Sequence, residues 1–262
     1  MPHVRGYVDA EYLKVAAAVT ERVKQRSYIL MGIRPGHKVL DVGCGAGTDT
    51  VPLVGLVYDQ GQVVGVDYDE DMIAEADRSA ADAGASHYVK HVQADATALP
   101  FESNEFDSSR SERLFQHLPH PERALSEMVR VTKPGGWIVV LDADWGSASI
   151  DSNHVDIERR LVRVLTERCH NNGYSGRQLY RLFRQQDLGD IVVEAFALPI
   201  LSYPLARQLG QLADVERRAL SAGIISSEEL AVWNASLERA DEEDVFFASV
   251  SIVMVAGRTS NG

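Results

Sequence analysis

The chain has 262 residues, of which 45% are hydrophobic and 24% are charged, and these fractions are ordinary for a folded globular protein. Its formal net charge is -12 at pH 7, which opposes the attraction to phosphate that supplies most non-specific nucleic-acid affinity. The composition therefore excludes a disordered or fibrous chain and argues against a nucleic-acid partner.

Residues 1–32 contain an amphipathic helical pattern, which we expect to form an N-terminal helical cap. From residue 33 to about residue 144, short β-branched segments alternate with helical patterns. This alternation is typical of a parallel sheet with helices on both faces. The strands predicted in this core are residues 39–42, 62–67, 88–94, 106–111 and 137–141.

The helices predicted between these strands begin at residues that favour helix starts. One helix covers residues 48–58, Asp69 caps the next, and Pro121 opens a third. The fourth strand is unusual because Ser108 and Ser109 stand where a buried central strand is usually apolar. These two serines predict either a locally weaker sheet or a polar cavity.

The pattern changes after residue 144, where helical segments become longer and more frequent. We expect two helical inserts, at about residues 145–190 and 202–243, to form the walls of a substrate pocket over the active site. The individual elements are helical patterns at residues 153–169, 175–186, 205–222 and 227–240 and strands at residues 191–196 and 245–256.

The two cysteines, Cys44 and Cys169, belong neither to a CxxC pair nor to a zinc-ligand spacing. We therefore expect no metal site. No apolar run approaches the roughly 20 residues that cross a bilayer, so we expect no membrane insertion and a cytoplasmic location.

A glycine-rich turn follows the first predicted strand, which ends near Asp41. Its pattern, Gly43-x-Gly45-x-Gly47, leaves the backbone open to close approach by a ligand. A dinucleotide site needs a third glycine at the position of Thr48, and a phosphate-binding P-loop needs a lysine that this turn lacks. The turn therefore favours a nucleoside cofactor without a pyrophosphate.

An acidic residue at the tip of the second predicted strand supports this interpretation. Asp67 lies 24 residues after Gly43, near the distance expected for the acid that binds a ribose in a doubly wound fold. Glycine turns and strand-end acids each also occur for structural reasons, but together they favour a nucleoside site.

Four segments of this core, residues 39–49, 64–72, 93–107 and 125–141, resemble successive motifs of the class I S-adenosylmethionine-dependent methyltransferases. Leu99-Pro100-Phe101 and Lys133-Pro134-Gly135-Gly136 are similar to motifs of its small-molecule branch, which includes the ubiquinone and menaquinone biosynthesis methyltransferases. The resemblance implies an α/β fold: a doubly wound, Rossmann-like, seven-stranded sheet that is mostly parallel with an antiparallel last strand. Residues 33–262 would then form the methyltransferase domain, with its core at residues 33–144.

The resemblance also implies S-adenosyl-L-methionine as cofactor and S-adenosyl-L-homocysteine as product. The glycines would flank the methionine and ribose, Asp67 would hold the ribose, and Asp95 would accept from the adenine amine. The full set of implied cofactor-binding residues is Asp41, Gly43, Gly45, Gly47, Asp67, Tyr68, Met72, Asp95, Ala96 and Ser111.

The acceptor side offers fewer signals. His117 follows the fourth predicted strand and is the leading catalytic candidate, because histidine is a suitable base near neutral pH; a structural hydrogen bond is the alternative. Asp144 and Trp145 follow the fifth strand and are candidate substrate contacts, as is Tyr7 in the N-terminal region.

The function that these observations favour is methyl transfer to oxygen, carbon or nitrogen of a small, partly apolar metabolite. A protein that binds the cofactor without turnover is an alternative. A macromolecule methyltransferase is disfavoured by the acidic charge and by the absence of an Asn/Asp-Pro-Pro-Tyr/Phe sequence after the fourth strand. A homodimer is a possible assembly.

Overall fold

The computed structural model describes residues 10–58 and 60–260, with side chains from Tyr12 onward. The strands are β1 (Lys38–Val42), β2 (Gln62–Asp67), β3 (Val89–Gln93), β4 (Phe106–Glu112), β5 (Thr132–Ile150), β6 (Gly189–Ile200) and β7 (Ala248–Arg258). The helices are α1 (Ala10–Leu30), α2 (Thr50–Val57), α3 (Glu70–Asp82), α4 (Pro121–Val131), α5 (Val155–Arg168), α6 (Ser175–Gln185), α7 (Tyr203–Leu209), α8 (Leu212–Ser221) and α9 (Ser227–Glu242).

The described strands form one seven-stranded sheet in the order β3-β2-β1-β4-β5-β7-β6. β1 to β5 pair in parallel, whereas β7 runs antiparallel to both β5 and β6. The chain reverses strand order beside β1 and β4, so the carboxyl ends of these strands form the crevice where doubly wound folds bind ligands. The predicted fold class, including the antiparallel last strand, is confirmed.

Two hydrophobic cores lie on opposite faces of the sheet, because successive side chains of a strand point to opposite sides. Val39 and Val139 belong to one core, whereas their neighbours Leu40 and Val140 belong to the other. The first core is covered mainly by α1, α2, α5 and α7 to α9, and the second by α4 and α6. The helices that follow β5 therefore cover chiefly one face.

The polar fourth strand is fully buried between β1 and β5. Ser108, Ser109 and Arg110 have no exposed surface, and the strand pairs in parallel with both neighbours, with a register shift against β5 between Phe106 and Ser108. The Ser109 hydroxyl lies 2.9 Å from the Thr132 hydroxyl. A hydrogen bond therefore accommodates Ser109 and ion pairs accommodate Arg110, whereas the buried Ser108 hydroxyl has no hydrogen-bond partner among the described residues.

The helical pattern predicted as one helix at residues 205–222 is two helices, so this prediction is wrong in its boundaries. α7 ends at Leu209 and α8 begins at Leu212. Gln211 between them has a φ of 47°, a left-handed conformation that no continuous right-handed helix contains. In the part of the chain that the structure describes, no helix is both long and apolar enough to span a membrane.

Candidate active site

A cavity of about 570 Å³ opens at the carboxyl ends of β1, β2 and β4. It is bounded by the glycine turn, by the segments after β2 and β3, and by the loop after β4. Of the predicted cofactor-binding residues, those that line it are Asp41, Gly43, Gly45, Asp67, Tyr68, Met72, Asp95 and Ala96.

The glycine turn needs residues without side chains at two of these positions. Gly43 has a φ of 77° and Gly45 a φ of 51°, which side-chain-bearing residues rarely adopt. A Cβ on Gly45 would lie 2.8 Å from Cδ1 of Leu13 in α1, and one on Gly43 would lie 3.0 Å from Leu114. The backbone at this turn therefore passes directly under the cavity, with α1 above it.

Asp67 is held in place by backbone donors on both sides. Its Oδ2 accepts a hydrogen bond from the Gly45 amide at 2.8 Å and its Oδ1 accepts one from the Asp69 amide at 3.0 Å. Burial raises the pKa of Asp67 above its ordinary value. The carboxylate thus joins the glycine turn to the start of α3 and faces the cavity where a ribose would lie.

The adenine end of the predicted site is open. Tyr68 is half-exposed, and the Asp95 Oδ1 accepts from both the amide and the hydroxyl of Thr97 at 2.8 Å. Met72 and Ala96 complete the wall. These residues lie together at the cavity wall, where the resemblance expects the adenine.

Two predicted cofactor residues, Gly47 and Ser111, are not part of the cavity wall. A Cβ on Gly47 would lie 3.2 Å from Ala76 of α3, so this glycine permits close helix packing. Ser111 is fully buried within β4, and the residues that reach the cavity after it are Glu112 and Arg113. The spacing of the residues alone does not show which of these adjacent positions lines the cavity.

A buried ion-pair cluster lies beside the glycine turn, and its carboxyl residues Asp41, Asp49 and Glu112 line the cavity. Arg110 of β4 lies 3.3 Å from Asp41, 2.7 Å from Asp49 and 2.8 Å from Glu112. From α1, Lys24 pairs with Asp49 and Glu112, and the Tyr28 hydroxyl donates to Asp49. The cluster links the N-terminal helix, the glycine turn and the centre of the sheet.

The cluster shifts its two aspartates in opposite directions. Burial raises the pKa of Asp41 to about 7, against the pull of Arg110. Burial also favours the neutral form of Asp49, but Arg110 and Lys24 lower the pKa of that carboxyl well below its ordinary value. Asp49 is therefore fully ionised near pH 7. Asp41, which lines the cavity, can gain or lose its proton near that pH.

No pattern noted in the sequence predicted this cluster. An arginine in the middle of a buried strand is a signal that carboxylates lie nearby, and Asp41 on the adjacent strand satisfies it. Lys24 and Asp49 could not be paired in advance, because their contact depends on how α1 packs against the sheet.

His117, the predicted catalytic residue, lies in a short 3-10 helix (Phe115–His117) and lines the cavity. Burial, with the neighbouring His170 and Arg113, lowers the pKa of His117 to about 3. The imidazole is therefore neutral near pH 7 and is a weak base. Its ring centroid lies 6.0 Å from that of His170, which stacks on Trp145 at 5.0 Å.

His170 also lines the cavity, although sequence reasoning assigned it no role. It follows α5, which belongs to the first helical insert. Trp145 donates from its indole to the Gln116 side chain at 2.6 Å and is buried. Trp145, a candidate substrate contact from the sequence, thus lies beside His170 and Gln116, which no local pattern indicated.

The other predicted substrate contacts are placed differently. Asp144 is buried, pairs with Arg177 at 2.8 Å and lies outside the cavity wall. Tyr7 lies outside the described residues. Tyr12, the next tyrosine along the chain, does line the cavity.

A second, almost wholly apolar cavity adjoins the first on the face that carries the helical inserts. Its free volume is about 90 Å³, and its walls come from α1, from the carboxyl half of β5, and from α5, α7 and α8. Trp145, Leu161 and Ala206 are among its lining residues, and Tyr12 and Arg113 line both cavities. The described residues contain no group of three or more His, Cys, Asp or Glu residues that could hold a metal ion.

Comparison with known proteins bears on this site. A family profile described as "Methyltransferase domain" matches residues 40–140. A 37.1 kDa protein of Streptomyces fradiae, from transposon Tn4556 and without an assigned role, is 32% identical over 96% of this chain and 72% of its own length. The ubiquinone/menaquinone biosynthesis C-methyltransferase of Pseudomonas paraeruginosa is 34% identical over 63% of this chain and 67% of its own length.

The fold has solved relatives as well. The structure of the YcgJ protein of Bacillus subtilis superposes with a TM-score of 0.66 at 20% identity, covering 92% of this chain and all of that one. The matched family residues contain the glycine turn, Asp67 and Asp95, which line one cavity in the structure. The chain belongs to the class I S-adenosylmethionine-dependent methyltransferases.

Proposed function

We propose that this methyltransferase acts on oxygen, carbon or nitrogen of a small, partly apolar metabolite. The observation that carries the proposal is the apolar cavity that adjoins the cofactor cavity and shares Tyr12 and Arg113 with it. A pocket of this kind suits a small molecule, because apolar walls with a few polar groups bury most of a ligand's surface. The C-methyltransferase relative, whose name refers to quinone biosynthesis, is consistent with such an acceptor.

The residues present fit S-adenosylmethionine. The backbone of Gly43 and Gly45 lines the cavity, and a Cβ at either position would meet a leucine side chain, so only glycine leaves this wall free for the cofactor. We infer that Asp67 holds the ribose hydroxyls, and that the adenine lies among Tyr68, Met72, Asp95 and Ala96. We place the methionine amino group near Asp41, whose carboxylate faces the same cavity. When bound, the cofactor supplies an electrophilic methyl group on a sulfonium.

The protein's contribution to methyl transfer is then mainly alignment and exclusion of water. His117, His170 and Trp145 form a wall that can orient an acceptor beside the cofactor cavity. We assign His117 as an acceptor contact rather than a strong base, because burial lowers its pKa to about 3. A neutral imidazole can still accept a hydrogen bond from an acceptor hydroxyl.

Calorimetry with S-adenosylmethionine, followed by incubation with labelled cofactor and a metabolite extract, tests this function. We expect cofactor binding and a labelled product of low molecular mass, identified by mass spectrometry. Binding without turnover on any metabolite would support the alternative of a non-catalytic binding protein. Label in nucleic acid or protein would contradict a small-molecule acceptor.

We also propose that the chain works in the cytoplasm, that it needs no nucleic-acid partner, and that it forms a homodimer. The free state of both cysteines supports the cytoplasmic location, and the net charge of -12 opposes a nucleic-acid partner.

We propose in addition that residues 1–32 act as a cap on the methyltransferase domain at residues 33–262. Light scattering in solution measures the assembly directly.

A further inference from the structure

The two cavities share two wall residues, Tyr12 of α1 and Arg113, the residue after β4, and we call the boundary at these residues the passage. The Tyr12 hydroxyl donates to the Leu209 carbonyl at 3.0 Å and hydrogen bonds with the Arg113 side chain. α1, α7 and the end of β4 therefore meet at this passage. A ligand that extended from the cofactor cavity into the apolar cavity would pass beside the Arg113 guanidinium.

Arg113 is held in an unfavourable backbone conformation. Its φ is 53°, which is in the left-handed region that residues with a side chain rarely adopt. Its amide donates to the Leu141 carbonyl at 2.9 Å, and its carbonyl accepts from the Gln116 side chain at 3.1 Å. The surrounding structure thus fixes an arginine at this point, where strained residues often serve a function.

The Arg113 side chain is 15% exposed and lines both cavities, so part of it can meet a ligand. Its Nε lies 3.4 Å from Glu112 but, among the described residues, makes no hydrogen bond. Glu112 is already paired with Arg110 at 2.8 Å and with Lys24 at 3.4 Å. Glu112 is therefore shared among three cations.

The other charged groups of the apolar cavity have their own partners. Glu216 pairs with Arg207 at 2.7 Å, and Glu158 pairs with Arg159 at the same distance. Arg113 is therefore the wall residue best placed to receive a charged group from a ligand. A guanidinium binds carboxylate and other oxygen anions through several donors at once, which makes it selective for them.

The size of the apolar cavity limits what else the ligand carries. Its volume is about 90 Å³, which is room for roughly three methylene-sized groups at about 30 Å³ each, the volume share of a water molecule. The surrounding wall is apolar, and Ala206 and Ala148 keep it open. A short branched alkyl group fits this space.

We propose that the methyl acceptor is an amphiphile whose oxygen anion pairs with Arg113 at the passage and whose small branched alkyl group fills the apolar cavity. This inference rests on the proposed function. Transfer to such an oxygen forms one C–O bond and breaks one C–S bond, and the electron pair of the broken bond stays on sulfur. No proton has to be removed, which is consistent with a site whose cavity-lining His117 is a weak base.

Matched probes test the proposal through binding to the protein with S-adenosylhomocysteine, measured by calorimetry. One pair is para-isopropylbenzoate and its neutral amide. A second pair is ortho-nitro-para-isopropylphenolate, at mildly alkaline pH, and its neutral methyl ether. The two pairs distinguish a carboxylate from a phenolate, and unsubstituted benzoate measures the contribution of the isopropyl group.

We expect at least one anion to bind about tenfold or more tightly than its neutral partner, as for a charge-assisted hydrogen bond of about 1.5–3 kcal/mol. Arg113→Gln removes this preference and Arg113→Lys retains part of it. Arg163→Gln, which removes an exposed arginine of α5, preserves it. Ala206→Met fills the cavity and abolishes the advantage of the isopropyl group, whereas the exposed Ala231→Met of α9 does not.

Two sets of outcomes separate the inference from the function on which it rests. If S-adenosylhomocysteine binds but no anion binds, or the neutral probes bind equally well, or Arg113→Gln leaves the preference intact, the acceptor class is wrong and the methyltransferase function stands. If neither S-adenosylmethionine nor S-adenosylhomocysteine binds the wild-type protein, both proposals are overturned.

Discussion

Lys24 of α1 forms an ion pair with Asp49, and their side chains are only 2% and 6% exposed. Asp49 immediately precedes α2, so this pair ties the N-terminal helix to the segment that follows the glycine turn. Buried ion pairs give little net stability compared with apolar packing, but the loss of one partner leaves an uncompensated charge. The pair therefore makes the seating of α1 sensitive to a single substitution.

Lys24→Met is expected to lower the free energy of unfolding by about 3–5 kcal/mol, because Asp49 loses one of its two buried cations. Chemical denaturation followed by circular dichroism measures the change. Arg163→Gln, which removes the exposed pair between Arg163 and Glu167, serves as the control and should change stability by at most about 1 kcal/mol. A similarly small effect of Lys24→Met would show that α1 is not held by this cluster.

Gly45→Ala is expected to reduce both stability and cofactor affinity. The added Cβ meets Leu13 at 2.8 Å, in addition to the cost of a φ of 51°. Gly84→Ala is a matched control, because Gly84 has a φ of 66° but nothing within 4 Å of an added Cβ. Thermal unfolding and calorimetry with S-adenosylhomocysteine measure the two effects.

The conformational cost alone is about 1–2 kcal/mol, so Gly45→Ala should exceed Gly84→Ala in destabilisation. Adding Leu13→Ala should remove part of the steric cost at residue 45. An equal loss of stability in Gly45→Ala and Gly84→Ala would mean that α1 moves to accept the added methyl group without an energetic cost.

Asp67→Asn is expected to weaken S-adenosylhomocysteine binding by about 10- to 100-fold, since hydrogen bonds to a charged group contribute about 1.5–3 kcal/mol each. Titration calorimetry gives the affinity, and circular dichroism checks the fold. Asp77→Asn, at a side chain that is 64% exposed, is the charge-matched control. An affinity equal to wild type would mean that the ribose lies elsewhere.

His117 is expected to make the free energy of unfolding depend on pH in the acid range. Its pKa in the folded protein is about 3, against 6.5 for the ordinary side chain, so the unfolded chain binds more protons below pH 6.5. The stabilising contribution is therefore complete above pH 6.5 and is lost as the pH falls towards 3. His117→Gln removes this dependence.

Urea denaturation of both proteins at several pH values measures the effect. The difference in unfolding free energy between wild type and His117→Gln should be constant above about pH 7. It should then change in favour of the variant by about 1 kcal/mol or more between pH 6.5 and 5. Parallel curves throughout the acid range would contradict the burial of a neutral imidazole.

The cofactor cavity was predictable from sequence to a large extent. The positions of Gly43, Gly45 and Asp67 follow from local rules, because a turn between a strand and a helix and the tip of the next strand meet at one sheet edge. Their ligand contacts stay predictions. Gly47 does not line the cavity, because it packs against α3 instead. The spacing of the glycines does not show which of them line a cavity and which allow a helix to pack closely.

The acceptor side was much less predictable. Trp145, His170 and Gln116 come from separate elements, and their contacts depend on how the first helical insert packs on the sheet. Periodicity identifies apolar helix faces but does not say which neighbour they meet. The break at Gln211 likewise depends on a single backbone conformation that residue type does not require.

β5 is long enough for its two ends to have different neighbours. Its pairing with β4 ends at Leu141, whereas Ser149 and Ile150 pair only with β7 among the described strands. The apolar cavity lies against this last part, which includes Ala148. We expect substitutions there to reshape the apolar cavity, our proposed acceptor pocket, without disturbing the sheet edge that carries the glycine turn. New acceptor preferences can thus evolve in this enzyme while its donor site stays unchanged.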